Sequence, residues 1–147
     1  MRVLILNGPN LNLLGEREPE IYGRDTLASL EEQCRARAAE LGIEIEFAQS
    51  NSEGEMVDLL QQRRDRDGVI LNAAAYTHTS LALADTLAAF EPPVVEVHLS
   101  NIHAREEIRR QSLTAPHAWG LISGFGFRGY LAALDLLHAR LSEGAGE

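Results

Sequence analysis

The chain has 147 residues, of which 45% are hydrophobic and 24% are charged, and its formal net charge is −9. This length and composition are typical of one soluble domain with a substantial core. The negative charge argues against a nucleic-acid partner, because binding to phosphates requires concentrated positive charge. The apolar runs are also far shorter than the ~20 residues of a membrane-spanning helix.

Lysine is absent, so all 13 basic residues are arginine. This excludes Schiff-base catalysis, attachment of pyridoxal phosphate and a Walker A phosphate loop, each of which requires a lysine side chain. The single cysteine, Cys34, excludes an intramolecular disulfide and disfavours a cysteine-based metal site. The first residues do not have the pattern of a secretion signal, so we expect a cytoplasmic protein.

Apolar periodicity predicts strands and helices that alternate along the chain. The predicted strands cover residues 2–6, 43–47, 68–71, 93–97 and 120–122. Helices are predicted over residues 27–41, 53–66, 81–90, 105–111 and 127–141. We expect Asp25 or Thr26 to cap the first helix and Gly42 to end it, and Thr79 or Ser80 to cap the third. Residues 43–47 alternate apolar and polar side chains, which favours an edge strand.

This alternation predicts one α/β domain over residues 1–147, with a doubly wound, flavodoxin-like sheet of five parallel strands and helices on both faces. Residues 143–147 are expected to form a frayed tail. The loop over residues 7–24 is longer than most loops that join a strand to a helix, and this favours a lid over a functional site.

Ligands bind to such sheets at the carboxyl ends of the strands. Polar residues follow the predicted strand ends, and they are Asn7, Asn10, Ser50, Asn51, Asn72, His98, Ser100 and Ser123. Asparagine and serine are also common in turns and helix caps, and we assign that structural role to Asn51 and Ser123. For Asn10, Asn72 and His98 we favour a role in a site.

The residues themselves indicate acid–base chemistry. His98 follows a predicted strand at the functional edge, and histidine is the residue type best suited to proton transfer near neutral pH. Tyr22 lies in the long loop between Arg17 and Arg24, whose charge would favour a tyrosinate. Arg105 and Arg109 are four residues apart on a predicted helix and could hold a carboxylate. The alternatives are that Tyr22 is a packing residue and that Arg105 and Arg109 belong to a solvated helix face with surface salt bridges.

A further alternative is a metal site built from Glu96, His98 and His103. The spacing of the three side chains matches no established metal motif, so we expect no metal.

Three segments carry a more specific signal: residues 7–23, residues 72–80 followed by Asp85, and residues 96–109. They resemble the signature regions of the type II 3-dehydroquinate dehydratases, and the resemblance extends over roughly residues 3–134. It implies a flavodoxin-like fold, a homododecamer built from trimers, and no metal or cofactor. The implied reaction is the trans elimination of water from 3-dehydroquinate through an enolate, giving 3-dehydroshikimate in the shikimate pathway of aromatic amino-acid biosynthesis.

The resemblance also implies roles for individual residues. Tyr22 corresponds to the base that removes a proton from C2, and Arg17 to its partner in the lid. Asn10 corresponds to the residue that orients a water on the enolate. His98 corresponds to the acid that protonates the C1 hydroxyl, and Glu96 orients it. The substrate-binding positions are Asn72, His78, Arg109 and the backbone at Leu99 and Ser100, while Asp85 contributes to a neighbouring subunit's site.

The sequence departs from the family pattern at Glu16, where a small hydroxyl residue is usual, and at Ala73-Ala74, which replace a common Pro-Gly or Pro-Ala. These changes concern the lid and the stiffness of the loop.

The main alternative is a non-catalytic flavodoxin-like module. An FMN carrier needs a hydroxyl-rich phosphate loop after the first strand, but residues 7–15 contain no serine or threonine. A receiver domain needs an acidic cluster after the first strand, an aspartate at the end of the third and a late lysine. Here Asn7 and Asn72 stand in the first two places, and the chain has no lysine. A second alternative is an assembly protein with a decayed site, against which the set Tyr22, Arg17 and His98 argues.

Overall fold

The computed structural model describes residues 1–16 and 25–145 of the chain. Five parallel strands form one sheet in the order β2-β1-β3-β4-β5. The strands are β1 (Arg2–Asn7), β2 (Glu44–Gln49), β3 (Gly68–Asn72), β4 (Val94–His98) and β5 (Gly120–Ser123). This is the strand order of flavodoxin-like folds, so the predicted fold class is confirmed, and β2 lies at an edge as expected.

In the described residues, three α-helices each join two consecutive strands: α1 (Leu27–Leu41), α2 (Glu53–Gln62) and α3 (Leu81–Ala88). A fourth, α4 (Arg128–Ala145), follows β5. Thr26 begins α1 with a capping box, in which its side chain accepts a hydrogen bond from the Ser29 backbone N–H and the Ser29 hydroxyl accepts one from the Thr26 N–H. Gly42 ends α1 in the left-handed region, at φ 71°. Ser80 caps α3. In the described residues, no helix is long and apolar enough to cross a membrane.

The sheet separates two apolar layers because side chains alternate along each strand. Val3 and Ile5 of β1 face α1 and α4, where they pack with buried residues such as Leu30 and Leu134. Leu4 and Leu6 face α2 and α3, against residues that include Met56, Leu60, Leu83 and Leu87. Helices therefore cover both faces, and the carboxyl ends of the central strands remain as the open edge for a ligand.

Several predicted element bounds differ from the structure by a few residues, and one predicted helix does not form. Helix α2 ends at Gln62 and not at residue 66, α3 ends at Ala88 and not at residue 90, and α4 continues to Ala145, past the predicted end at residue 141. The frayed tail over residues 143–147 stays a prediction. The helix predicted over residues 105–111 is wrong. Over residues 102–109 the chain instead forms two 3-10 turns, Ile102–Ala104 and Glu107–Arg109, and Arg105 is extended between them.

The path of that segment has a physical cause. A helix of seven residues is too short to be stable by propensity alone. Tertiary contacts fix the ends of the segment instead: Ile102 is buried, and the Leu113 N–H donates to the Thr77 carbonyl at 2.9 Å.

Candidate active site

A cavity of about 170 Å³ opens at the carboxyl ends of β1, β3 and β4. It lies beside the point where the strand order reverses between β1 and β3, where doubly wound folds bind ligands. Its lining residues are Pro9, Asn10, Leu11, Leu13, Leu14, Asn72, Ala74, Ala75, His78, His98, Leu99, Ser100, Ile102, Arg105 and Arg109. Most of the predicted site residues within the described ranges therefore line one cavity.

The loop after β1 is held against the loop after β3 by a close backbone contact. The Gly8 N–H donates to the Asn72 carbonyl at 2.8 Å. A Cβ atom at Gly8 would lie 2.5 Å from the Ala73 carbonyl oxygen, a distance that real side chains do not tolerate. Glycine at this position therefore lets the two loops meet, and their contact brings Asn10 to the same cavity as Asn72.

Asn10 is in the left-handed region, at φ 69°, which asparagine adopts more readily than most residues. Its N–H donates to Asn51 Oδ1 at 3.0 Å, and Gln49 Nε2 donates to the same oxygen at 3.0 Å and to the Gly8 carbonyl at 3.1 Å. Asn51 and Gln49 thus fix the backbone on which Asn10 is presented. This agrees with the structural role predicted for Asn51.

Glu96 and His98 form a buried pair at the end of β4. Glu96 Oε2 lies 2.7 Å from His98 Nε2, and Glu96 and His98 are 1% and 4% exposed. Glu96 also accepts hydrogen bonds from the hydroxyls of Ser112 and Thr114. Burial alone would raise the pKa of Glu96, but the hydrogen bonds from His98, Thr114 and Ser112 outweigh it, and the pKa is lowered. Glu96 is therefore a carboxylate.

The ionised Glu96 fixes which imidazole nitrogen of His98 carries a proton. A carboxylate only accepts hydrogen bonds, so His98 Nε2 must be the donor. Nδ1 is then the nitrogen available to a molecule in the cavity, and when His98 is protonated it can donate a proton there.

His78 lies beside His98, with ring centroids 6.4 Å apart and an interplanar angle of 21°. His78 Nδ1 is 2.8 Å from the Gln111 carbonyl oxygen, which can only accept, so Nδ1 carries a proton. His78 Nε2 is therefore the nitrogen that can meet a ligand. Two imidazoles with defined tautomers consequently form one wall of the cavity.

Two guanidinium groups, Arg105 and Arg109, form another part of the lining. The prediction that one helix face carries both is wrong, since Arg105 is extended and Arg109 belongs to a 3-10 turn. They nevertheless reach the same cavity. Arg109 contacts Glu106 through Nε. A chain of net charge −9 thus places positive charge in the cavity, which suits an anionic ligand.

The carbonyl groups at the end of β4 and in the turn after it accept hydrogen bonds from the end of β5 and the segment that follows it. Carbonyls of His98, Leu99 and Ser100 accept from Gly124 N, Gly126 N and Ser123 Oγ, at 3.1, 3.0 and 3.3 Å. The amide N–H groups of Leu99 and Ser100 are therefore what this turn can offer a ligand. Ser123 serves the turn structurally, as predicted, since its hydroxyl also accepts from Ile102 N–H at 3.0 Å.

Within the described residues, two predicted site residues, Glu96 and Asp85, are not among those that line the cavity. Glu96 lies behind His98, where it contacts the imidazole directly. Asp85 is on α3, and its side chain is exposed. Tyr22 and Arg17 belong to residues 17–24 of the predicted lid, which lie outside the described residues. Within residues 1–16 and 25–145, no three histidine, cysteine, aspartate or glutamate side chains group to hold a metal ion, and His103 is exposed.

Sequence reasoning missed Ser112 and Thr114, which lie 16 and 18 residues after Glu96. It also missed Tyr130, whose hydroxyl contacts both Asn7 and Asn72. No local pattern marks these residues, because serine, threonine and tyrosine occur widely in turns and cores. The one signal was the buried carboxylate itself, since an ionised group inside a protein needs donors around it.

Comparison with known proteins agrees with this geometry. The family model described as "Dehydroquinase class II" matches residues 1–138. The "3-dehydroquinate dehydratase" of Dinoroseobacter shibae is 56% identical over 97% of this chain and 95% of its own length. The "3-dehydroquinate dehydratase 2" of Pseudomonas aeruginosa is 52% identical over 97% of each chain.

Solved structures give the same result. A type II dehydroquinase from Propionibacterium acnes has a TM-score of 0.90 and 42% identity over 94% of this chain and 96% of its own. A type II dehydroquinase from Butyrivibrio crossotus has a TM-score of 0.91 and 42% identity, over 93% of this chain and 97% of its own. The agreement of family model, relatives and fold over nearly the whole length establishes that the chain belongs to the class II dehydroquinase family.

Proposed function

We propose that this chain is a 3-dehydroquinate dehydratase, a hydro-lyase that converts 3-dehydroquinate to 3-dehydroshikimate and water in the shikimate pathway. The observation that carries the proposal is the buried Glu96–His98 pair, which presents an imidazole to a cavity that also holds Arg105 and Arg109. An acid–base elimination on a carboxylate substrate needs this combination of proton donor and positive charge. Family membership makes the substrate specific.

The reaction has two parts, and the proposed residues divide them. Tyr22, as a tyrosinate held by Arg17, removes a proton from C2, and the electron pair forms an enolate with the adjacent ketone. His98 then gives a proton to the C1 hydroxyl as the C1–O bond breaks, water leaves, and the C1–C2 double bond forms. Asn10 orients a water on the enolate oxygen.

Glu96 supports His98 in this step. Its charge stabilises the imidazolium before proton transfer, and its hydrogen bond holds the ring so that Nδ1 is the donating nitrogen. The lowered pKa of Glu96 keeps this carboxylate ionised at neutral pH. The proposal for substrate binding assigns the carboxylate and hydroxyl groups to Asn72, His78, Arg109 and the backbone of Leu99 and Ser100.

We further propose that the chain acts without metal or cofactor, in the cytoplasm, as a homododecamer that is built from trimers. Asp85 contributes to a neighbouring subunit's site in this assembly. Its exposure on α3 and its place outside the cavity of its own chain support that role.

The decisive experiment mixes the purified protein with 3-dehydroquinate and follows the ultraviolet absorbance of the conjugated enone product. The matched control is His98→Asn, which keeps a polar group at the same position but cannot act as an acid. We expect a steady rise for the wild type and a nearly flat trace for the variant. A flat trace for folded wild-type protein would remove the proposal.

A further inference from the structure

Tyr130, near the start of α4, is fully buried, yet its hydroxyl lies between two asparagines of the sheet. The hydroxyl oxygen is 2.6 Å from Asn7 Oδ1 and 2.9 Å from Asn72 Nδ2. Asn7 and Asn72 are register partners at the ends of β1 and β3. One side chain from a distant helix thus links the two central strands directly below the cavity.

The direction of every hydrogen bond in this group is determined by backbone groups at its two ends. Ala74 N–H can only donate, and its partner at 3.1 Å is Asn72 Oδ1, so the other amide atom of Asn72 is the nitrogen. The Ala48 carbonyl can only accept, and it accepts from Asn7 Nδ2 at 3.0 Å. Asn72 Nδ2 therefore donates to Tyr130, and Tyr130 donates to Asn7.

Nδ2 of Asn72 carries two hydrogens and donates one of them to Tyr130, so one N–H has no partner within residues 1–16 and 25–145. Asn72 is 3% exposed, and it lines the cavity. Rotating the Asn72 side-chain amide by 180° would turn Oδ1 toward Tyr130 and the NH₂ group toward the Ala74 N–H. Two donors would then face each other, so this orientation is disfavoured. The network thus holds Asn72 as a hydrogen-bond donor toward a ligand.

We propose that Tyr130, anchored by Asn7, is a positioning residue that sets Asn72 to donate a hydrogen bond to an oxygen of the bound substrate. This inference rests on the proposed function, since it concerns how that site recognises its anionic, hydroxyl-rich substrate. The hydroxyl remains protonated because burial raises the pKa of Tyr130. Phenylalanine would occupy the same volume but could not hold either asparagine.

The first test is Tyr130→Phe, with KM and kcat measured separately. We expect KM to rise about tenfold, the order of one lost hydrogen bond, with kcat little changed. Leu137→Val is the matched control: it is fully buried on the same helix, but it packs near Gly68 at the other end of β3. This control is expected to lower thermal stability and leave KM unchanged. A Tyr130→Phe variant that is merely less stable, with normal KM, would overturn the proposal.

The second test is a double-mutant cycle with Asn72→Ala, which shows whether Tyr130 acts through Asn72. If it does, Tyr130→Phe should change KM in the wild type but hardly at all in the Asn72→Ala background. Additive effects in the two backgrounds would contradict the positioning role. If the wild type does not dehydrate 3-dehydroquinate, the proposed function is wrong. If the wild type is active and the effects of the two substitutions are additive, only the positioning role of Tyr130 is wrong.

Discussion

Glu96 Oε2 lies 2.7 Å from His98 Nε2, and the two residues are separated by two positions on the buried strand β4. Side chains at this spacing point to the same face of a strand, so the pairing is built into the strand itself. The hydroxyls of Ser112 and Thr114 complete the surroundings of the carboxylate. A charged group is thereby kept inside the protein at the place where a proton donor is needed.

His98→Ala is expected to reduce kcat by about 10²–10⁴-fold, the usual contribution of a general acid. The enone assay measures the loss, while circular dichroism and sedimentation verify that fold and assembly are retained. If the variant keeps most of its turnover, another group donates the proton.

Thr114→Val removes a hydroxyl that lowers the pKa of Glu96. The pKa should therefore rise toward its ordinary value, and the acid limb of kcat/KM should shift to higher pH. A carboxyl group whose pKa is lower in the folded than in the unfolded protein stabilises the fold at pH values above the unfolded-state pKa. This stabilisation is lost as the pH falls through the folded-state pKa, so the variant should lose stability at a higher pH than the wild type. Measuring both pH profiles tests this, with the exposed Thr26→Val as a control that leaves the acid limb in place. An unmoved acid limb in Thr114→Val would show that Thr114 has no electrostatic role.

Gly8→Ala should separate the loops that carry Asn10 and Asn72, since the new Cβ would lie 2.5 Å from the Ala73 carbonyl oxygen. We expect a loss of about 1–3 kcal/mol of stability, as for other overpacked sites, together with a raised KM. Gly54→Ala is the matched control, because a Cβ there has no atom within 4 Å and lies on α2. Thermal unfolding should show stabilisation of this control by about 0.5–1 kcal/mol. Equal behaviour of the two variants would mean that the loop contact can relax at little cost.

Asp85→Asn should reduce activity only if assembled subunits share their sites. We expect a marked loss of kcat/KM in the variant, and poor activity in wild-type protein that has been diluted to separated, folded subunits. Sedimentation and enone assays at matched concentrations test both statements. A fully active wild-type monomer would contradict the proposed role of Asp85.

Arg17→Gln tests how a tyrosine acts as a base near neutral pH. The ordinary pKa of tyrosine is about 10, so roughly one molecule in a thousand would be ionised at pH 7. Removing the guanidinium should lower kcat sharply and move the basic group in the kcat/KM profile to higher pH. Arg17→Lys should restore activity only in part, because lysine lacks the planar fork of arginine. An unchanged pKa would assign Arg17 to substrate or lid positioning.

The sequence by itself determined the strands, the helix caps and much of the cavity. Apolar runs and capping residues such as Thr26 and Ser80 act over a few positions, so local physical chemistry decides them. Asn10, Asn72 and His98 could be grouped because parallel strands bring their carboxyl ends to one edge of the sheet. The family resemblance implied that Glu96 orients His98, and the two-residue period of a strand is the physical reason that the two side chains share one face of β4.

Only the tertiary structure decided what supports these residues. Tyr130 meets Asn7 and Asn72 across 123 and 58 positions, and Ser112 and Thr114 reach Glu96 from the segment before β5. The extended path through Arg105 is likewise imposed by anchors outside the segment. Such contacts depend on how helices and loops pack against the completed sheet, and hydrogen bonds across that packing leave no periodic trace in the chain.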